Sequence, residues 1–206
     1  SNEPLRNGEF GWPEFITGGV GTNYNFLSNF PILVDSLRNA GKDIVLVDFW
    51  DGATYIEDNT DLAKKAIKLC NEYKVGSAPL ICVGTSMGGV IARKALREME
   101  LHPNQEHCTN LFISHDSPHN GANIPIGLQA LISFMSDPIS QAQQIQEQTL
   151  MRPAARQRLV RQYLPYTNWH YNFQASLDQL GFPEECKMIA VNNGNKHGMK
   201  LNGVEA

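Results

Sequence analysis

Four apolar runs recur along this 206-residue chain, at 43–49 (DIVLVDF), 78–84 (APLICVG), 109–115 (TNLFISH) and 186–192 (CKMIAVN). They are rich in Val, Ile and Leu, as strands covered on both faces tend to be. Helical patterns lie between them. FPILVDSLRNAG (30–41) has apolar residues near helical spacing and closes on Gly41, a helix-terminating glycine. TDLAKKAIKLCNEYK (60–74) sets Leu62, Ala66, Leu69 and Tyr73 on one stripe with lysines opposite. GGVIARKALREME (88–100) ends in charges. Strands alternating with such helices predict βαβ units, a mainly parallel sheet with helices on both faces, and ligands at the carboxyl ends of the strands.

The stretch 126–184 breaks this rhythm. SQAQQIQEQTLMRPAARQRLVRQYL (140–164) is Gln- and Arg-rich, with helical apolar spacing interrupted by Pro153, and the aromatic cluster YLPYTNWHYNF follows at 163–173. A connection this long exceeds an ordinary βα loop. It is expected to be a helical cap over the carboxyl edge; the alternative is a set of extra helices at the side of the sheet.

Composition narrows the class. A hydrophobic fraction of 42%, a charged fraction of 18% and a net charge of −4 fit one soluble domain and give no broad basic surface for nucleic acid. No apolar run approaches the roughly 18 residues of a membrane span. The chain opens SNEPLRNG, without an initiator Met or a basic-then-apolar leader. A trimmed start is therefore expected, compatible with export, and the sequence assigns no compartment or oligomeric state. Cys70, Cys82, Cys108 and Cys186 lack metal-finger spacing and read as free thiols, with Cys82 inside an apolar run.

LICVGTSMGG (80–89) places Ser86 between glycines, after an apolar run and before a helix. A nucleophilic serine must project from a tight turn, next to backbone N–H groups that can hold an oxyanion. Such a turn presses strand against helix, so glycine is expected two residues before and two after, at Gly84 and Gly88, with Gly89 a further small residue. A phosphate-binding loop is the competing reading, but GTSMGG is neither GxGxxG nor a P-loop.

VGTSMGGVIARKAL (83–96) resembles the nucleophile elbow of the α/β-hydrolase superfamily, in particular its lipase-like serine esterases. FISHDSPHNGANIPIG (112–127) is similar to the segment that follows the next strand in many of these enzymes. The resemblance covers roughly residues 30 to 125 and implies an α/β-hydrolase-like single domain over 1–206, with the cap insertion at about 126–184. It also implies cleavage of a small-molecule or lipid-like carboxylic ester through an acyl-enzyme on Ser86, with no metal or organic cofactor.

Serine needs a histidine to take its proton and a carboxylate to orient that histidine, in the chain order Ser, Asp or Glu, His. Asp116 is the candidate acid: it follows the strand next after the nucleophile strand, where the resemblance implies that some lipases carry theirs, while the more usual place after the run at 186–192 offers Asn192, Asn193 and Asn195, and Glu184 and Glu185 precede that run at its other end. A turn-organising role is the alternative for Asp116. His197, in NNGNKHGMK, satisfies the order and is the candidate base. His102 and His107 are expected to be solvated, His115 packed at a strand end, His119 structural by the resemblance, and His170 in aromatic packing or substrate contact. The N–H of Met87 is the expected oxyanion donor. The family carries one more strand before its histidine, and one before 43–49 whose loop supplies a second oxyanion donor. Neither is read here, so the chain is expected to be the central part of a longer hydrolase, its base either His197 or a residue outside it. Phe134, Met135, Trp169 and Phe173 suit either an apolar acyl group or a cap core. The competing function is a hydrolase-like binding domain without a working base; a thiol enzyme built on Cys82 is a third reading.

Overall fold

The computed structural model describes residues 31–136, 150–163 and 168–192. In chain order these form α1 (Pro31–Asn39), α2 (Ile56–Tyr73), β1 (Leu80–Thr85), α3 (Met87–Leu101), β2 (Thr109–His115), α4 (Ile126–Ser136), α5 (Pro153–Arg158), α6 (Trp169–Leu180) and β3 (Lys187–Val191). Gly41, at φ 67°, closes α1 with its N–H on the carbonyl of Arg38, as its place in the sequence predicts.

The three strands form a parallel sheet in the order β1-β2-β3. Cys82 pairs with Phe112, and Phe112 with Met188, so these side chains share one face. α3 packs on it: Ala92, Ala95, Leu96 and Met99 close over Phe112, with Ile67 of α2 behind them. Burying a side chain such as Phe112 or Leu96 contributes roughly 1.5–3 kcal/mol. A second cluster joins Val90 and Ile91 of α3 to Ile56 of α2, Ala154 of α5, and Phe173 and Leu177 of α6. The chain is thus a mixed α/β structure with a parallel sheet.

Two features differ from the sequence reading. Residues 43–49, predicted as a strand, pair with no strand among the described residues. An apolar run becomes a strand only where a partner completes its ladder, and β1 pairs with β2 alone. Second, the described helices cover one face of the sheet. On the other, Ile81 is 53% and Val83 60% exposed, alongside exposed Ile189 and Val191.

α6 packs on α3 and leads from β2 to β3 as the crossover helix that a parallel pair requires. The stretch 126–184, expected as a helical cap, holds α4, α5 and α6 among its described residues. Pro153 is the first residue of α5. There the Gln157 amide accepts from Ile56 N–H (2.8 Å) and donates to Glu57 (2.6 Å), fastening α5 to the start of α2. No helix among the described residues is long and apolar enough to cross a membrane.

Candidate active site at the carboxyl ends of the strands

Ser86 is the single residue between β1 and α3, with φ 53° and ψ −125°. Positive φ is costly for a residue with a Cβ, by about 1–3 kcal/mol, and persists only where the surroundings impose it. The imposition is visible. A Cβ on Gly84 would lie 2.5–2.6 Å from the Cα and N of Gly89 and the carbonyl O of Gly88. One on Gly89 would overlap the Ser117 side chain. One on Gly88 would meet nothing within 4 Å. The close approach therefore needs Gly84 and Gly89, not Gly84 and Gly88. The reason is that α3 presents its third residue, not its second, to the strand.

The Ser86 N–H donates to the carbonyl of His115 at 2.9 Å, and its side chain is exposed. Met87 is the first residue of α3, so its N–H precedes the first intrahelical bond and is free to donate outward. Turn strain, an exposed hydroxyl and an orphan N–H together can present a nucleophile beside an oxyanion donor.

Asp116 stands at the same edge. Thr85 is in register with His115, so Ser86 and Asp116 each follow directly on a paired residue of adjacent strands. Asp116 also has positive φ (49°), is exposed, and donates its N–H to Val191 O at 2.6 Å. Ser117, absent from the sequence reading, donates its hydroxyl to the His115 carbonyl (3.2 Å) and fills the space that Gly89 leaves. Its signal was the small residue directly after the candidate acid.

The histidines separate clearly. His197 lies outside the described residues. His102 is exposed as expected, whereas His115 is exposed rather than packed. His107, expected in solvent, is buried. Its Nδ1 accepts from Thr109 N–H at 2.9 Å, so its Nε2 carries the proton and faces Glu100 at 3.3 Å. A polar connection hides such a residue because the ring satisfies the turn's own backbone. His119 bonds through Nε2 to Ser114 Oγ (2.8 Å), and burial, with the charges of Arg93 and Arg158, lowers it to about 4. His170 is buried and donates from Nδ1 to Gln157 O at 3.1 Å. Among the described residues none of these rings bonds Ser86 Oγ.

Glu100, His107 and Glu185 bring three potential metal ligands together. The geometry does not suit a cation. Both ring nitrogens of His107 are engaged, and Glu100 accepts from the Glu184 and Glu185 N–H groups (each 2.9 Å) and from Arg97 (2.9 Å). Burial pushes the Glu100 carboxyl up, but these bonds outweigh it and hold the group below the usual range. Glu184 and Glu185 thus mark the amino end of β3, opposite Ser86.

The cysteines are free thiols, and burial, then neighbouring thiols, pushes Cys82 up to about 12, which leaves no thiolate for catalysis near neutrality. Phe173 belongs to the core against Met87, whereas Phe134 is exposed. Trp169 lies against Tyr55, ring centroids 5.4 Å apart. Comparison of the chain with protein-family models, with curated proteins and with solved structures found no match.

Proposed function

We propose that the chain is a serine hydrolase of carboxylic esters, of lipase or esterase type, built on an α/β-hydrolase-like sheet. The observation that carries this reading is the backbone of Ser86, held at φ 53° and ψ −125° between β1 and α3. A small residue in an ordinary glycine-rich loop has no need of that strain; a hydroxyl that must reach a substrate carbonyl does.

In this reading Ser86 Oγ attacks the acyl carbonyl and passes its proton to a histidine, for which His197 is the candidate. Asp116 orients the imidazole and stabilises its charged form. The tetrahedral oxyanion rests on Met87 N–H. Collapse expels the alcohol, which takes the proton from the imidazolium. Water, deprotonated by the same histidine, then attacks the acyl-enzyme and releases the acid and free Ser86. No step calls for a metal or organic cofactor. The helices at 126–136 and 153–158 would cap the site.

A fluorophosphonate probe tests this reading. Labelling of the wild type that disappears in Ser86→Ala is expected, with ester hydrolysis falling by about a thousandfold or more. A folded wild type that takes no label would favour the second reading, a binding domain with an idle elbow. Asp116→Asn separates the roles of the acid: unchanged hydrolysis would reduce Asp116 to a turn residue.

A further inference from the structure

Two arginines are buried in the helical layer, and they are treated very differently. Arg93 is 2% exposed. Its Nε donates to Gly181 O and its Nη2 to Leu177 O, each at 2.9 Å, and its guanidinium lies 3.6 Å from the Phe182 ring centroid. The carbonyls at the end of α6 thus stand in for water. Arg158, the last residue of α5, is 4% exposed, yet Nε, Nη1 and Nη2 are all buried without a hydrogen-bond partner. Its guanidinium lies 5.7 Å from the Phe173 ring centroid. Among the described residues no carboxylate pairs with it.

A guanidinium carries five N–H donors and stays protonated in proteins. Burial, and then the charge of Arg93, lowers Arg158 only to about 10, so it is a cation at neutral pH. Leaving such a charge bare in the interior is strongly unfavourable. The neighbourhood supplies more positive potential and another orphan: His119 feels both arginines, and its Nδ1 is buried without a partner. The Arg158 carbonyl accepts from Ala122 N–H at 2.7 Å, which fixes its backbone against the loop after β2.

We propose that Arg158 binds a small monovalent anion, chloride or a short carboxylate, in the layer between α5, α6 and residues 117–122. The single charge matches one uncompensated guanidinium. A dianion would cost more to desolvate. This site is independent of the chemistry proposed for Ser86.

The test measures the thermal midpoint of the full chain at constant ionic strength while a bulky sulfonate is replaced by chloride, and in a second arm by formate. The midpoint is expected to rise saturably in one arm or both, by about 5–10 °C at a hundredfold excess over the dissociation constant. A response to chloride alone identifies a halide site, and a response to formate alone a carboxylate site. Arg158→Met should abolish the response and, in sulfonate, melt no lower than wild type, because its unpaired charge is gone. A wild-type midpoint indifferent to both anions overturns the proposal, as does an unchanged response in the variant. Should the variant not fold, wild-type crystals soaked in bromide and, separately, in formate decide: an anomalous peak or formate density beside the Arg158 guanidinium is expected, and the absence of both overturns the site.

Discussion

The two ends of the sheet put similar materials to different uses. At the amino end, Glu100 gathers the N–H groups of Glu184 and Glu185, the Arg97 guanidinium and the buried His107 ring into one bonded cluster. At the carboxyl end, Ser86 and Asp116 use their backbones to tie the strands together and leave their side chains exposed. Positive φ is not what separates the ends, since Asn104 and Cys108 share it near the amino end. What separates them is whether the side chains are consumed. Groups that are already bonded hold a structure together; groups held in place and left unbonded are available for chemistry.

Substitutions at each end sharpen this contrast. The largest effect is expected from Gly84→Ala, whose Cβ would meet backbone atoms that cannot move aside; a loss of about 3 kcal/mol or more should appear in urea unfolding. Gly88→Ala should cost nothing and can gain up to about 1 kcal/mol from helix propensity. Equal effects at the two glycines would break the account of the turn. Next comes Glu100→Gln at the amino end, expected to lose about 2–3 kcal/mol near neutral pH. The folded Glu100 carboxyl lies below its unfolded value of about 4.3, so its contribution is full above that pH and disappears as pH falls through the folded value. The stability gap between wild type and Glu100→Gln should therefore begin to narrow as pH falls below about 4.3 and go on narrowing as the carboxyl protonates, and a gap that is constant down to strongly acid pH would contradict this. The smallest effect is a gain: Ser86→Gly relieves the strained φ and should stabilise by about 1 kcal/mol, while Ser86→Ala, which keeps a Cβ, stays within about 0.5 kcal/mol.

Three of the four apolar runs are strands where the sequence places them, because their neighbours in space are reached by ordinary helical crossovers. The run at 43–49 shows the limit of periodicity: hydrophobicity records a wish for burial, not the identity of a ladder partner. The glycines around Ser86 were legible as a group, but which of them is indispensable depends on the angle at which α3 leaves the turn. His107 and Arg158 were hidden by their company. One sits in a polar connection and the other in an Arg- and Gln-rich helix, settings in which such side chains are ordinarily solvated. His119, by contrast, is half-buried and bonded to Ser114.

The backbone bonds at the carboxyl edge carry a mechanical consequence. Ser86 N–H reaches His115 O, and Asp116 N–H reaches Val191 O, so the rungs step across all three strands in one direction. The spacing between Ser86 and Asp116 is thereby geared to the interstrand distance of about 4.8 Å. The chain leaving β3 begins at the next tooth of the same gear. A change in sheet twist would carry the three departure points together, preserving their relative phase.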